Sequence, residues 1–210
     1  MTIFDKADLM SNIVDKRGYS SYLEIGIFKG DTFSKMCGNK NLNLKIGVDP
    51  DENTCATFHM TSDEFFSKHS NDFKFDLIFI DGMHLCEYVY NDIQNSLKCL
   101  NSNGMIVCHD MLPGSDAMQT RNHSYEMITP WNGDCWKAFA YYMNRSPYYC
   151  FTLDFDCGLG VIDTARTRCA EQNTTCSKEM TEMIYEDYTN NRNSWLNVKQ
   201  KDYIFEYFGN

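Results

Sequence analysis

The sequence predicts an α/β fold, a doubly wound and mostly parallel sheet, on three observations. Strand-like apolar runs alternate with helical segments, the order that builds parallel βαβ units. The first run, Tyr22-Leu23-Glu24-Ile25, passes into glycines at 26 and 30 and then into a helix-like stretch, which reads as strand, tight turn and helix start. The second run, Leu44 to Val48, ends in Asp49, 23 residues beyond Gly26. An acid about 20 positions past a glycine turn suits a ribose hydroxyl.

Each element follows from its pattern. Residues 5–17 carry apolar positions at helical spacing and stop at Gly18. The first strand covers 20–26, and a helix follows from Asp31 to Cys37. Residues 55–60 form a short strand. Residues 61–69 form a helix, with Thr61 as cap and Glu64 completing the capping box. Phe75 to Ile80 is a buried strand, apolar apart from Asp76. Leu85, Val89, Ile93 and Leu97 recur every four residues and place a helix over 84–100. Met105 to Cys108 is the next strand, after an Asn103-Gly104 turn. Residues 111–130 are polar and irregular, a loop long enough to be functional. A helix over 134–144 precedes two runs, 148–153 and 157–162, too close for a crossover helix and therefore an antiparallel hairpin. Residues 164–177 lack periodicity, and 178–188 and 199–208 read as helices.

The 210 residues suffice for one domain with a core. Apolar residues make up 43%, and mean hydropathy is −0.47. The formal charge of −10 argues against a nucleic-acid partner, because phosphate contacts need a basic face. No apolar run reaches the ~18 residues of a membrane span. The N-terminus lacks the features of a secretory signal, so a cytoplasmic protein is expected, with self-association into a homo-oligomer left open. Ten cysteines contain no C-x-x-C pair, which makes them reduced and mostly buried rather than a disulfide or zinc framework.

The turn reads E-x-G-x-x-x-G where a dinucleotide fingerprint would read G-x-G-x-x-G. A carboxylate at Glu24 would repel a phosphate and suits a ligand with a ribose and a cationic amino-acid tail, the description of S-adenosylmethionine. Two further strand ends carry chemistry, Asp81-Gly82-Met83-His84 and His109-Asp110. One reading is acid–base work by the histidines and Asp110. The other is a divalent metal held by Asp81, Asp110 and His109; polar helix caps are the plain alternative. In TPWNGDCWKAF, Asp134 is placed to cap the following helix. Trp131 and Trp136 make a rim for a flat or sugar-like acceptor, or else pack that helix onto the sheet.

LEIGIFKGDT, IGVDPD, MTSDEFF, FDLIFIDGMHLCEYVYNDIQNSL, NGMIVCHDMLP, WNGDCWKAF and CGLGVID, in this order, resemble the class I S-adenosylmethionine-dependent methyltransferases, in the small bacterial and viral branch with IDG-x-H and HD motifs. The resemblance spans about residues 20–163, and the expected organisation is a methyltransferase domain over 1–163 with 164–210 a C-terminal helical extension packed on it. It implies a Rossmann-like seven-stranded sheet with an antiparallel last strand. It implies that Glu24, Gly26 and Gly30 line the methionine end of the cofactor, that Asp49 holds the ribose, and that Ser62 and Asp63 lie near the adenine. Asp81 and His84 would flank the transfer centre, with His84, His109 and Asp110 catalytic. Related sugar and catechol O-methyltransferases hold Mg²⁺ with acids at the ends of the fourth and fifth strands, where Asp81 and Asp110 fall.

The expected function is methyl transfer from S-adenosylmethionine to an oxygen of a sugar or other small hydroxylated acceptor, with Mg²⁺ as a candidate second cofactor. The alternative is a non-catalytic nucleoside- or nucleotide-sugar-binding protein of the same fold. Glu24 and the missing third glycine disfavour an NAD binder.

Overall fold

The structure, a computed structural model, describes residues 3–122, 130–169, 172 and 176–209. Residues 123–129 of the expected loop, and 170, 171 and 173–175 of the expected polar segment, lie outside the described residues. Two compact units divide the chain, one of Met1–Gly82 with Asn91–Val107 and one of Met83–Tyr90 with Cys108–Asn210. The described elements are α1 (Lys6–Arg17), β1 (Ser21–Ile25), α2 (Asp31–Gly38), β2 (Leu44–Val48), α3 (Ser62–His69), β3 (Phe75–Ile80), α4 (Cys86–Cys99), β4 (Leu100–Cys108), α5 (Cys135–Arg145), β5 (Tyr148–Asp154), β6 (Leu159–Thr167), α6 (Tyr185–Trp195), β7 (Val198–Gln200) and α7 (Tyr203–Phe208). The strands follow the order β2-β1-β3-β4-β6-β5-β7, a seven-stranded mixed sheet as the resemblance implies.

In the first unit β1 is the spine. It pairs in parallel with β2, Leu23 beside Ile46, and with β3, Leu23 beside Ile78. All five of its residues are buried, which is why its apolar pattern does not alternate. Leu9, Met10, Ile13 and Val14 of α1 are almost wholly buried. Gly18 ends α1 in the left-handed conformation, and its N–H bonds the Val14 carbonyl. Thr61 and Glu64 form the expected capping box at the start of α3. The strand expected over 55–60 is reduced to a single parallel bridge between Val48 and Phe58.

Asp76 is the polar exception in β3, and the structure gives the reason. Its carboxylate accepts hydrogen bonds from the Ser20 N–H (2.8 Å), the Ser21 N–H (3.1 Å), the Ser21 hydroxyl (2.9 Å) and the Asn101 amide (2.8 Å). One side chain thus fixes the start of β1 to β3 and β4. Burial alone would raise its pKa, but the bonds from Ser20, Asn101 and Ser21 outweigh it and hold the carboxyl below its usual 3.8.

In the second unit β5 and β6 form the expected antiparallel hairpin, Phe151 opposite Val161. β7, which the sequence does not reveal, adds to β5 in parallel. Three residues are too short to show a period, and β7 occupies part of the expected 199–208 helix, leaving α7 as its remainder. The helix expected over 178–188 lies later, at 185–195, after a 3₁₀ turn at Met180–Glu182. The Asn103-Gly104 turn is also absent. β4 runs from Leu100 through that dipeptide, and Asn103 takes the positive φ of 67°. Trp136, Phe139, Phe151, Val161 and Leu196 make the core. None of the ten cysteines forms a disulfide. Among the described residues no helix is long and apolar enough to cross a membrane.

Asp76→Ala should leave the N–H and hydroxyl of buried Ser21 without this acceptor and lower unfolding free energy by about 1–3 kcal/mol in urea titrations at pH 7. A carboxyl depressed in the folded state stabilises above its unfolded pKa of 3.8 and loses that contribution as pH falls through its folded value, so the gap between wild type and variant should close below about pH 4.

Candidate active site

The first unit gathers one group of predicted residues around the turn after β1. Gly26 has φ of +86°, and a Cβ there would lie 2.1 Å from the Asp81 carbonyl oxygen, so only glycine fits. The Asp81 N–H in turn donates to the Ile25 carbonyl (2.8 Å). Gly30, also at positive φ, is the N-cap of α2. Asp49 accepts from the Ile27 N–H (2.8 Å) and Phe28 N–H (3.1 Å) on one oxygen and from the Asp51 N–H (2.8 Å) on the other. The acid expected at the ribose therefore also ties the glycine turn to β2. A carboxylate has about four acceptor positions, so these bonds leave capacity for hydroxyls.

Glu24 is 1% exposed. Its carboxyl accepts a 2.6 Å hydrogen bond from the Tyr22 hydroxyl. Burial pushes its pKa up to about 8; the Tyr22 bond and Lys6 oppose the rise and Asp81 adds to it. The group is then mostly neutral at pH 7, which qualifies the expectation of a phosphate-repelling charge. Asp81 accepts from Lys6 Nζ (2.7 Å). Ser62 and Asp63 open α3, and Ser62 hydrogen-bonds the buried Asp92 of α4, whose pKa burial raises to about 7. A glycine turn with no room for a side chain, beside a strand-end acid and a buried acid that a cation would ionise, fits the ribose and amino-acid ends of S-adenosylmethionine.

The second unit gathers His84, His109 and Asp110. Asp110 is 4% exposed and takes a positive φ of 66°. Its Oδ1 accepts from Asn132 Nδ2 (2.7 Å). Its Oδ2 faces His109 Nδ1 at 3.0 Å and His84 Nε2 at 3.4 Å. The opposite ring nitrogens meet carbonyls, His84 Nδ1 that of Trp131 (3.0 Å) and His109 Nε2 that of Asp156 (2.8 Å). A carbonyl only accepts, so His84 carries a proton on Nδ1 and His109 one on Nε2. Both remaining nitrogens point at one carboxylate oxygen, and a lone pair facing that oxygen is repelled.

The segment Trp131 to Asp134 wraps His84. Trp131 stacks on its ring, with centroids 4.9 Å apart. Gly133 approaches so closely that a Cβ would lie 1.7 Å from the His84 carbonyl oxygen. Asn132 is fully buried, and the sequence gives it only a place in the turn before α5, with no sign of its bond to Asp110. Asp134 does not cap α5 as expected. It accepts from the Cys86 N–H at the start of α4 (2.8 Å) and pairs with Arg121 (2.8 Å) and Lys137 (3.4 Å). Trp136 is 0% exposed and packs the core, so the rim expected of two tryptophans comes down to Trp131.

The two acids expected to hold Mg²⁺, Asp81 and Asp110, each have partners of their own. Asp110 has an amide on one oxygen and two imidazoles on the other, and Asp81 holds an ammonium. A hard divalent cation competes with such groups for the same oxygens. Cys86, Glu87 and Asp134 also lie close together, but burial pushes the Cys86 thiol up to about 12 and Arg121 already occupies both acids.

Residues 23–111 match the sequence model of a methyltransferase domain family. An uncharacterized protein of Acanthamoeba polyphaga mimivirus is 30% identical over 112 residues, 43% of this chain and 51% of that one. The chain thus spans about half the length of the curated relative it matches. Among solved structures, the Bacillus cereus O-methyltransferase in complex with S-adenosylhomocysteine superposes with a TM-score of 0.56 at 13% identity, over 78% of this chain and 82% of its own. An S-adenosylhomocysteine-bound Podospora anserina methyltransferase gives 0.55 at 19%, over 80% of each chain. A Streptomyces achromogenes O-methyltransferase of tomaymycin synthesis, in complex with S-adenosylmethionine, gives 0.57 at 11%, over 78% and 81%. The fold is the α/β Rossmann-like fold of these methyltransferases.

The state of Glu24 has a measurable consequence. Its folded pKa lies above the usual 4.5, so its contribution to stability is full below pH 4.5 and is lost as pH rises through about 8. Relative to Glu24→Gln, which keeps an acceptor for Tyr22, wild type should lose on the order of 4 kcal/mol between pH 5 and pH 9 in denaturant titrations. Parallel pH profiles for the two proteins would contradict the neutral acid.

Proposed function

We propose that this chain, whose residues 23–111 match a methyltransferase domain and whose fold is that of the class I enzymes, transfers the methyl group of S-adenosylmethionine to a hydroxyl oxygen of a small acceptor, a sugar or similar polyhydroxyl compound. Residues 1–163 are its catalytic domain and 164–210 an extension of it. The observation that carries the choice of oxygen is the carbonyl-fixed histidine pair around Asp110, because a hydroxyl must lose a proton to become a competent nucleophile.

S-adenosylmethionine, when bound, supplies a methyl group already activated on a sulfonium. The chain's own residues then bind, orient and deprotonate. Asp49 accepts from the ribose, Gly26 and Gly30 admit close backbone approach, Ser62 and Asp63 serve the adenine end, and Glu24 and Asp81 face the cationic tail. His84 is the general base. Its contact to Asp110 is the longer of the two, and its side chain is 20% exposed against 10% for His109. The acceptor proton goes to His84 Nε2, and the imidazolium is held by Asp110 and the Trp131 carbonyl. His109, tied to Asp110 and to the Asp156 carbonyl, positions the carboxylate. Trp131 offers an aromatic face to the acceptor. No step uses a metal.

The test is transfer of labelled methyl to a panel of sugars, nucleotide-sugars and catechols. His84→Ala and Asp110→Asn should lower turnover by about 10²- to 10⁴-fold, with S-adenosylhomocysteine affinity nearly intact. EDTA should leave the rate unchanged; loss of activity in EDTA with recovery in Mg²⁺ would restore the metal reading. Tight cofactor binding with no transfer to any acceptor would favour the non-catalytic binding protein.

A further inference from the structure

Lys6 is a cation in an acidic corner that the proposed reaction does not otherwise use. It sits in the first turn of α1 with Nζ 2.7 Å from Asp81 Oδ2 and 5.6 Å from the centre of the Phe79 ring. The two charged side chains are 22% and 17% exposed, so solvent and solutes reach the pair. The helix start that presents Lys6 is anchored. Asp5 caps it through the Asp8 N–H (3.0 Å) and also pairs with Lys35 of α2. Glu24 lies near enough to feel both Lys6 and Asp81.

We propose that Lys6 binds the carboxylate of the cofactor's amino-acid tail, and that the Lys6–Asp81 ion pair of the free protein is the place into which that zwitterion inserts. The inference rests on the S-adenosylmethionine reading and extends it to a residue on α1. Lys6 Nζ and Asp81 Oδ2 form an ion pair. A zwitterion brings one of each, so its ammonium takes the Lys6 position on Asp81 and its carboxylate takes the released Lys6. One ion pair becomes two. Lysine suits this exchange because its charge is a point on a flexible four-carbon stem, which can leave one carboxylate for another a few ångströms away. The consequence is selection by the tail: a nucleoside without amino-acid charges gains nothing from Lys6.

Isothermal titration of the full chain with S-adenosylhomocysteine and with 5′-methylthioadenosine, which lacks the amino-acid tail, tests this. Lys6→Met should weaken S-adenosylhomocysteine about 10- to 100-fold, the range for hydrogen bonds between charged groups, while changing 5′-methylthioadenosine by no more than about twofold. Lys6→Arg should recover most of the loss, and circular dichroism should show both variants folded. Unchanged S-adenosylhomocysteine affinity in folded Lys6→Met would overturn the assignment while leaving the cofactor reading intact. So would an equal loss for both ligands, which would mark a role in the shape of the site. Failure of the wild type to bind either ligand would remove the cofactor reading, and the inference with it.

Discussion

The tightest constraint in the first unit is the backbone contact between Gly26 and Asp81, where not even a methyl group fits. It follows from parallel pairing. β1 and β3 run side by side in register, Ile25 beside Ile80, so the residues that follow them meet directly beyond their carboxyl ends. The turn can then leave β1 only with a positive φ and no side chain. Asp49 completes the arrangement by reaching from the end of β2 to the amides of Ile27 and Phe28. Three strand ends become one rigid corner, and the two acids most affected by it, Glu24 and Asp81, are held by Tyr22 and Lys6.

The second unit solves a different problem by a similar economy. Two backbone carbonyls fix the protons on His84 and His109, and one carboxylate oxygen receives what remains. Asp110 can do this because Asn132 holds its other oxygen and because its positive φ turns it from the line of β4. Arg121, Glu87 and Asp134 then secure the start of α4, just beyond His84. In the proposed reaction, the acid–base group is held by residues that need never touch a substrate.

Much of this was legible in the sequence where a residue type has a single physical use. Glycines at 26 and 30 had to serve a turn, the acid after β2 had to sit at its end, and strands buried on both faces had to be continuously apolar. The capping box at Thr61 and the close spacing of the β5–β6 hairpin were equally direct. What stayed hidden depends on partners distant in sequence. Nothing near Asp76 announces its bonds to Ser20, Ser21 and Asn101. Asp134 has the local look of a helix cap, but its oxygen is drawn to the N-terminus of another helix. Asn132 matters because it reaches Asp110, 22 residues back. β7 is too short for periodicity and exists only because β5 offers it an edge.

The central claim is that one set of residues binds the cofactor and another handles the acceptor proton. Titration of S-adenosylhomocysteine into wild type, Asp49→Ala and Asp110→Asn tests it directly. The account predicts binding by wild type, affinity within a few-fold of it for Asp110→Asn, and a loss of about 1–3 kcal/mol for Asp49→Ala. No binding by wild type, or equal losses in the two variants, would contradict it.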